Sequence, residues 1–330
     1  MGSKRNQLKE KFTLNKLRTT FFAFGVPVIY AFVMRGIFLS DLYSTAVGIV
    51  SAAFILFGPL SIGAITVFLS PARYAVNAWY NIFAPWISLA LFVLLTFLVK
   101  FEGAICIVMA MPVFLVLGSA GGLIAGEIRR RRLRNKLNVA IAVLLPFLIV
   151  PIESSFDIKP STYEAYTTIE IDAPANVIWN NVVRVREISP EEDNGKLSKF
   201  MGFPRPVVAE LDTLMKGGRR KAVFDKGLVF DEVVYEYSHE KKMLFTITPI
   251  TSEIPPTTLD EHVIVGGKYF TVLDGTYELE KISGNKHRLI LYSHFSLNTT
   301  FNFYSGLWSK WIMSDIQNNI LSIIKARCEK

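Results

Sequence analysis

The sequence is poor in cysteine and in charged residues. Its 330 residues include two cysteines, Cys106 and Cys328, so an intramolecular disulfide framework is implausible. Charged residues make up 19% of the chain and hydrophobic residues 51%, which is more apolar than an ordinary soluble protein. Composition alone therefore argues against an entirely soluble protein.

The motifs of common cofactor-dependent enzymes are also missing. The sequence has no phosphate-binding glycine loop, nucleophile elbow, paired zinc-ligand motif or dinucleotide fingerprint. His239, His262 and His294 do not have the spacing of metal ligands. We therefore predict neither a cofactor nor a metal ion.

Long apolar segments fill the first half of the chain. A helix rises about 1.5 Å per residue and the hydrocarbon layer is about 30 Å thick, so a run of about 20 apolar residues spans it. The final segment contains Pro146 and Pro151, and an interfacial or re-entrant position is its alternative. We therefore predict four to five transmembrane helices. The predicted spans are 21–39, 46–69, 82–99, 104–125 and 137–156.

Positive charge is confined to this apolar half. Residues 1–152 carry 15 basic and four acidic residues, whereas residues 153–330 carry 21 and 24. A nucleic-acid-binding domain would concentrate basic residues on a folded face, so no nucleic-acid partner is expected. Basic residues near helix ends stay on the cytoplasmic side. The run Arg129–Lys136 is thus interpreted as a topological anchor that can also contact anionic lipid head groups.

This charge pattern predicts three regions and their sides of the membrane. Residues 1–18 form a basic cytoplasmic N-terminus, and residues 19–156 form the transmembrane region in the inner or cytoplasmic membrane. Five spans would place the domain of residues 157–330 outside the cytoplasm, in the periplasm of a Gram-negative bacterium. Gly118, Gly122 and Gly126 recur every four residues and predict a close-packing surface for another helix, with a partner protein as one possibility.

The second half shows the patterns of an α+β domain. "YEAYTTIEID", residues 163–172, alternates in polarity like a half-buried strand, and "ANVIWNNVVRV" follows with helical spacing. Further strands are predicted at 207–214, 221–224, 228–237, 243–249, 267–280 and 288–297. A long amphipathic helix closes the chain. Its predicted apolar stripe is Tyr304, Leu307, Trp308, Trp311, Ile312, Ile316, Ile320, Ile323 and Ile324.

This order of elements resembles the START-like helix-grip superfamily, the SRPBCC group that includes polyketide cyclases and dehydrases and lipid-transport domains. The resemblance covers about residues 160–328 and is carried by "IDAPANVIWNNV", "GLVFDEVVYEYSHEKKMLFTI", "GGKYFTVLDGTYELE" and the final helix. It implies a curved antiparallel sheet around a long C-terminal helix, with an apolar cavity between them. No catalytic residue set transfers with this resemblance.

Alternation selects the side chains expected to line such a cavity. In "KYFTVLDGTYELE", one face of the strand carries Tyr269, Thr271, Leu273, Tyr277 and Leu279. The final helix adds Trp308 as a wall residue. The alternative for the two tyrosines is that they are core residues bonded to the backbone or to water.

Three ionisable residues are candidates for polar contacts or for acid–base chemistry. Asp260 and His262 stand in "LDEHVIVGG", where a carboxylate beside an imidazole can form a general base. The alternative is a hydrogen-bond network at a turn. Glu232 lies in the otherwise apolar strand "LVFDEVVYEY", where it faces either the pocket or solvent.

The sequence therefore predicts a membrane-tethered module that binds or transfers a hydrophobic small molecule, such as a lipid, an isoprenoid or a polyketide-like compound. Each buried methylene contributes about 0.8 kcal/mol, so a long apolar ligand needs few polar contacts. One alternative is a cyclase- or hydrolase-type enzyme that uses His262, Asp260 or Glu232. Another is a sensory or interaction subunit of a membrane complex.

Overall fold

The computed structural model describes residues 15–39, 51–101, 103–131, 136–155, 159–250, 266–267 and 269–330. The chain divides into two compact units, with the boundary near residue 157. The first unit is helical, and the second combines a sheet with helices.

The described helices of the first unit are apolar along most of their length. Its two π-helical turns are Phe21–Gly25 and Ala53–Phe57. Its α-helices are α1 (Val26–Leu39), α2 (Gly58–Leu69), α3 (Ala72–Ala75), α4 (Ala78–Leu98), α5 (Ala104–Arg130) and α6 (Lys136–Glu153).

Three of the described helices are long and apolar enough to cross a membrane. They are Asn15–Phe38, Ala78–Leu98 and Ile105–Arg130. The apolar helices Ala53–Leu69 and Leu137–Glu153 are shorter, and residues 46–50 of the second predicted span lie outside the described residues. The described residues therefore supply three full-length candidates, and the count of four to five spans stays a prediction.

Helix α2 is the buried centre of the first unit, with ten buried residues from Gly58 to Phe68. It continues the π-helical turn Ala53–Phe57 without a break, and both ends of this joined helix have charged partners. The Glu153 carboxylate accepts hydrogen bonds from the backbone N–H groups of Ala52 (2.6 Å) and Ala53 (2.8 Å) at the helical start. Arg129 Nη1 donates to the carbonyl oxygens of Val67 (2.5 Å) and Ser70 (2.6 Å) at the end. Each charge thus lies at the helix end where the macrodipole favours it.

Glycines of α5 allow close approach to neighbouring helices of the same chain. A Cβ at Gly121 would collide with the Leu60 carbonyl group of α2. The predicted packing surface of Gly118, Gly122 and Gly126 faces α4, because Cβ atoms there would meet Leu89 or Asn81. A partner protein at this surface stays a prediction.

The basic run has more than one role in the structure. Arg129 caps α2 as described, whereas Arg130 and Arg131 form exposed ion pairs with Glu127, each 2.6 Å long. Exposed pairs of this kind add little to stability, because water and salt screen the two charges. Residues 132–135 lie outside the described residues.

The second unit is an α+β domain with a curled antiparallel sheet. Its strands are β1 (Ser161–Asp172), β2 (Arg184–Val185), β3 (Pro206–Leu211), β4 (Arg219–Phe224), β5 (Val229–Ser238), β6 (Lys242–Pro249), β7 (Phe270–Ser283) and β8 (Lys286–Leu297). Its helices are α7 (Ala175–Val183), α8 (Leu197–Met201) and α9 (Asn302–Cys328), and a 3₁₀ turn spans Asp225–Gly227.

The eight strands form one sheet in the order β1-β8-β7-β6-β5-β4-β3-β2, and every neighbouring pair is antiparallel. The long helix α9 packs against β1 and β8. We call the sheet face on the α9 side the concave face. This arrangement explains the alternating burial along β1. Ala165, Thr167 and Ile171 face α9 and are buried, while the residues between them are more exposed.

One apolar core joins the sheet to α7 and α9. Trp179 of α7 is fully buried and donates from Nε1 to Tyr237 Oη at 3.1 Å. Met243, Leu289 and Leu321 belong to the same cluster. Complete burial of such side chains contributes about 1.5–3 kcal/mol each, so this cluster contributes strongly to the stability of the domain.

The sheet-facing stripe of α9 agrees with the predicted one only in part, since Ile312, Ile323 and Ile324 are buried as predicted. Gln317, Leu321 and Cys328 are buried, whereas Leu307 and Trp311 are 44% and 51% exposed. The prediction followed apolar residues, which occur on more than one face of this helix. Gln317 is tolerated inside because Nε2 donates to Ser293 Oγ (3.0 Å) and Oε1 accepts from Thr167 Oγ1 (3.2 Å).

Candidate functional site

A β-bulge in β7 changes which side chains reach the concave face. The pairing with β8 shifts between Val272 and Asp274, so Leu273 is the extra residue and is 40% exposed. Val272, which the sequence placed on the other face, is buried opposite Phe295.

The predicted wall residues of β7 are therefore only partly correct. Thr271 lies between the inward-facing Phe270 and Val272, so it points away from the concave face together with Ser296, its partner in β8. Beyond the bulge, Tyr277 and Leu279 lie on the inner face and belong to the buried core cluster, and their role as walls of a ligand cavity stays a prediction. The side chains of Thr271 and Leu273 therefore do not point to the concave face, and their prediction as wall residues is wrong.

Two further wall candidates are half-buried. Tyr269 precedes β7, and its carbonyl oxygen accepts from the Asn298 N–H group at 3.0 Å. Trp308 of α9 lies in an aromatic group, with its ring centroid 5.5 Å from that of Trp311 and 6.4 Å from that of Tyr304. Asp260 and His262 lie outside the described residues, so their roles stay predictions.

Glu232 is the candidate that the structure places in the interior. It is 6% exposed on β5, directly opposite Arg220 of β4, which is 4% exposed. Arg220 Nη1 and Glu232 Oε2 are 3.4 Å apart. This is an ion-pair distance, longer than the roughly 2.7–2.9 Å of a charge-assisted hydrogen bond. Of the two alternatives for Glu232, the structure excludes the one in which its side chain faces solvent.

Aromatic rings surround the guanidinium group of this pair. The Arg220 Cζ atom lies 5.3 Å from the Phe245 ring centroid and 5.6 Å from that of Tyr277. Both distances permit a cation–π attraction, which strengthens when water is excluded. Gly275 makes room for this arrangement, since a Cβ there would lie 2.7 Å from the Phe245 ring.

The buried pair retains unused hydrogen-bonding capacity. Arg220 Nε and Glu232 Oε2 are buried and have no hydrogen-bond partner among the described residues. An unsatisfied buried donor or acceptor costs about 1–3 kcal/mol, and more when the group is charged. One N–H donor and one carboxylate oxygen are therefore available to a polar group that enters the concave side.

Burial also changes the protonation of these groups. Loss of solvation raises the pKa of Glu232 to about 7, although the positive charge of Arg220 acts in the opposite direction. Burial likewise raises the pKa of Tyr277, again opposed by Arg220. Near neutral pH the Glu232 carboxyl can thus either hold or release a proton, as a general acid or base must.

Two residues of this site, Arg220 and Phe245, were not predicted from the sequence. Arg220 stands in "RRKAVF", where three consecutive basic residues suggest a solvated strand. The available signal was alternation, because Arg220, Ala222 and Phe224 share one face and Ala222 is buried. Phe245 lies in a strand that was correctly predicted, but its contact with Arg220 depends on the order of the strands in the sheet.

Away from the Arg220–Glu232 pair, a cavity of about 200 Å³ lies between α8, the 3₁₀ turn and α9. Its wall includes Arg205 and Asp225, whose Nε and Oδ2 atoms are 3.2 Å apart. Asn319 also lines it and donates to Asp193 Oδ1 at 2.7 Å. These polar groups already have partners, so the Arg220–Glu232 pair is the stronger candidate site.

Solved structures with similar folds cover about half of the chain. A START superfamily protein from Mycobacterium smegmatis shares 11% identity over 50% of this chain and 97% of its own, with a TM-score of 0.32. The Zhui aromatase/cyclase from Streptomyces sp. R1128 shares 12% over 51% and 94%, with a TM-score of 0.33. Truncated norcoclaurine synthase from Thalictrum flavum shares 11% over 51% and 97%, with a TM-score of 0.30.

No known protein family matches the chain. No curated protein sequence matches it either.

Proposed function

We propose that the chain is a membrane-tethered module that binds or transfers a hydrophobic small molecule on the concave side of the sheet. The supporting observation is the Arg220–Glu232 pair, which is buried among apolar side chains yet retains an unpartnered donor and acceptor. Replacing such a pair by well-packed apolar residues is often neutral or stabilising. Stability alone therefore gives little reason to keep it, whereas recognition of a ligand does.

The two unpartnered atoms define the polar group of the ligand. A hydroxyl group can accept from Arg220 Nε and donate to Glu232 Oε2 at the same time. A carboxylate would compete with Glu232 for the guanidinium group, and a cation would be repelled by Arg220. The proposed ligand is an uncharged, hydroxylated compound with a long apolar part, such as a lipid, an isoprenoid or a polyketide-like molecule.

The apolar helices support the membrane tether in this proposal. Three of the described helices are long and apolar enough to cross a bilayer, and α1, α4 and α6 pack against the shorter helix α2. Given the distribution of basic residues, the proposed topology has a cytoplasmic N-terminus and an extracytoplasmic second unit.

The test is to identify what the full-length protein carries. The chain is extracted in mild detergent and washed, and mass spectrometry compares the bound compounds of wild type with those of the Arg220→Met, Glu232→Leu double variant. The matched control is the Arg184→Gln, Glu210→Gln double variant. It neutralises an exposed ion pair that also joins neighbouring strands.

The proposal expects a hydroxylated apolar compound with wild type and with the control, and its loss by at least tenfold with the double variant. Circular dichroism verifies that each variant is folded. Equal amounts of the compound in all three proteins would refute a ligand site at the buried pair.

Catalysis on the same class of compound is the second candidate function. It is favoured by Glu232, whose pKa burial raises to about 7, near the value that suits a general acid or base at neutral pH. The bound compound is incubated with wild type, Glu232→Gln and His262→Ala protein, and its mass is followed over time. A product that forms with wild type, but at least a hundredfold more slowly with one variant, would establish an enzyme. An unchanged compound supports the binding module.

A further inference from the structure

The first half of α9 carries an apolar stripe on its exposed side. Phe303, Leu307 and Trp311 are 73%, 44% and 51% exposed. Their spacing of four residues places them on one face of the helix. Single exposed apolar residues are common on soluble proteins, but an aligned group of large ones marks a surface that contacts something. We call these three residues the α9 stripe.

The α9 stripe lies at the end of the domain where the chain arrives from the first unit. Asn302, next to the stripe, donates from Nδ2 to Ser161 Oγ at 3.1 Å and to the Lys159 carbonyl oxygen at 3.5 Å. Tyr163 Oη in turn donates to the Asn302 carbonyl oxygen at 2.9 Å. The first turn of α9 is therefore attached to the first residues of β1.

The connection to the apolar helices is short. Helix α6 ends at Glu153 and β1 begins at Ser161, which leaves the seven residues 154–160 between them. Even a fully extended segment of this length reaches only about 25 Å. If α6 meets the membrane as the proposed function requires, the end of the domain that holds the α9 stripe stays near the bilayer surface.

We propose that the α9 stripe inserts into the interfacial layer of the membrane that holds the helices. The proposal rests on the membrane tether of the proposed function. Phe, Leu and Trp on one face are typical of helices that lie about 5–10 Å deep in the head-group region. Trp in particular is enriched at that depth.

The neighbouring charge suits the same location. Lys310 is exposed, lies between Leu307 and Trp311 in sequence, and holds its Nζ atom 5.9 Å from the Tyr163 ring centroid. A cation beside an inserted apolar face matches the negative potential of anionic lipid head groups. Because α9 also packs on the sheet, insertion would place the concave side of the domain next to the lipid phase and shorten the path of an apolar ligand.

The test uses the full-length chain in vesicles of phosphatidylcholine. Cys106→Ala and Cys328→Ala remove the native thiols, and a single cysteine at Leu307→Cys carries an environment-sensitive nitrobenzoxadiazole label. The matched control is Ile282→Cys, because Ile282 is 42% exposed but lies at the far end of β7. Phosphatidylcholine with a nitroxide on its acyl chain is the quencher, and circular dichroism verifies folding.

Insertion predicts that the nitroxide lipid lowers emission from the label at position 307 at least twofold and leaves the label at position 282 nearly unchanged. Equal quenching at the two positions would overturn the proposal. A blue-shifted but unquenched label at 307 would also overturn it, because a protein surface and not lipid would then cover the stripe.

Carbonate extraction of the same vesicles tests the membrane tether separately from the insertion of the α9 stripe. Protein that washes off in carbonate contradicts the membrane tether, and the insertion proposal falls with it. Protein that resists carbonate but shows no quenching at position 307 contradicts the insertion alone.

Discussion

Replacing Glu232 by glutamine should stabilise the domain at neutral pH, although it removes one member of a buried ion pair. The carboxyl keeps its proton to higher pH in the folded than in the unfolded state, because burial raises its pKa from 4.5 to about 7. Between these values the folded state binds more protons. The free energy of unfolding of the wild type therefore falls as pH rises through this window and levels off above it.

The magnitude follows from the same two values. A change in pKa from 4.5 to about 7 corresponds to about 3 kcal/mol, lost from the wild type between pH 4.5 and pH 7. Glutamine has a similar shape and does not titrate. Glu232→Gln should therefore match the wild type at pH 4 and exceed its stability by about 3 kcal/mol at pH 8.

Urea unfolding of residues 157–330, followed by circular dichroism at pH 4, 6 and 8, measures this difference. An Arg220→Met background provides a second comparison. The guanidinium charge partly offsets the effect of burial on Glu232, so its removal should widen the gain from Glu232→Gln at pH 8. A Glu232→Gln domain that is less stable than wild type at pH 8 and equally stable at pH 4 would refute the reasoning, since the ion pair would then outweigh desolvation.

Three further predictions concern other parts of the chain. Residues 157–330 expressed alone should fold as a soluble monomer. Removal of residues 303–330 should abolish the cooperative thermal transition of this domain, because the core loses Leu321 and Ile324. An unchanged thermal transition would contradict this prediction. Protease added to cells with a permeabilised outer membrane should degrade residues 157–330, whereas protection until lysis would place the domain in the cytoplasm. Glu153→Gln should lower the melting temperature of the detergent-solubilised protein by several degrees, because α2 loses a charged partner at its start; an unchanged melting temperature would show that the contact is not stabilising.

The order of strands and helices could be predicted from local patterns. The alternation of "YEAYTTIEID" has a direct structural cause, since β1 lies with one face against α9 and the core. The predicted strands 267–280 and 288–297 correspond to β7 and β8, and Gly284 adopts the left-handed conformation (φ 54°) in the turn that joins them.

The bulge at Leu273 could not be predicted in this way. Phe270, Val272 and Leu273 are all apolar, so polarity does not show where one extra residue reverses the alternation. A similar ambiguity affected α9, where Leu307 and Trp311 were assigned to the sheet side. Apolar residues occur there on two faces of the helix, and only the packing of β1 selects one of them.

The candidate site was least accessible from the sequence because it is assembled across the sheet. Arg220 and Glu232 come from neighbouring strands, and Phe245 and Tyr277 cover them from the next two. Within its own strand, each of the two charged residues has the pattern of a residue that faces solvent. Only the pairing of four strands shows that both are buried.

A hydrophobic molecule should occupy the concave side of the sheet beside the Arg220–Glu232 pair. A photoreactive p-benzoylphenylalanine at position 245 tests this prediction, since Phe245 already contributes a phenyl ring there. The control is the same residue at position 166, because Tyr166 is 54% exposed and alternates with the buried Ala165 and Thr167. After irradiation of the full-length protein in its native membrane, mass spectrometry should find an apolar, hydroxylated adduct on the peptide that contains residue 245 and none at residue 166. No adduct at residue 245, or equal adducts at both positions, would contradict the account.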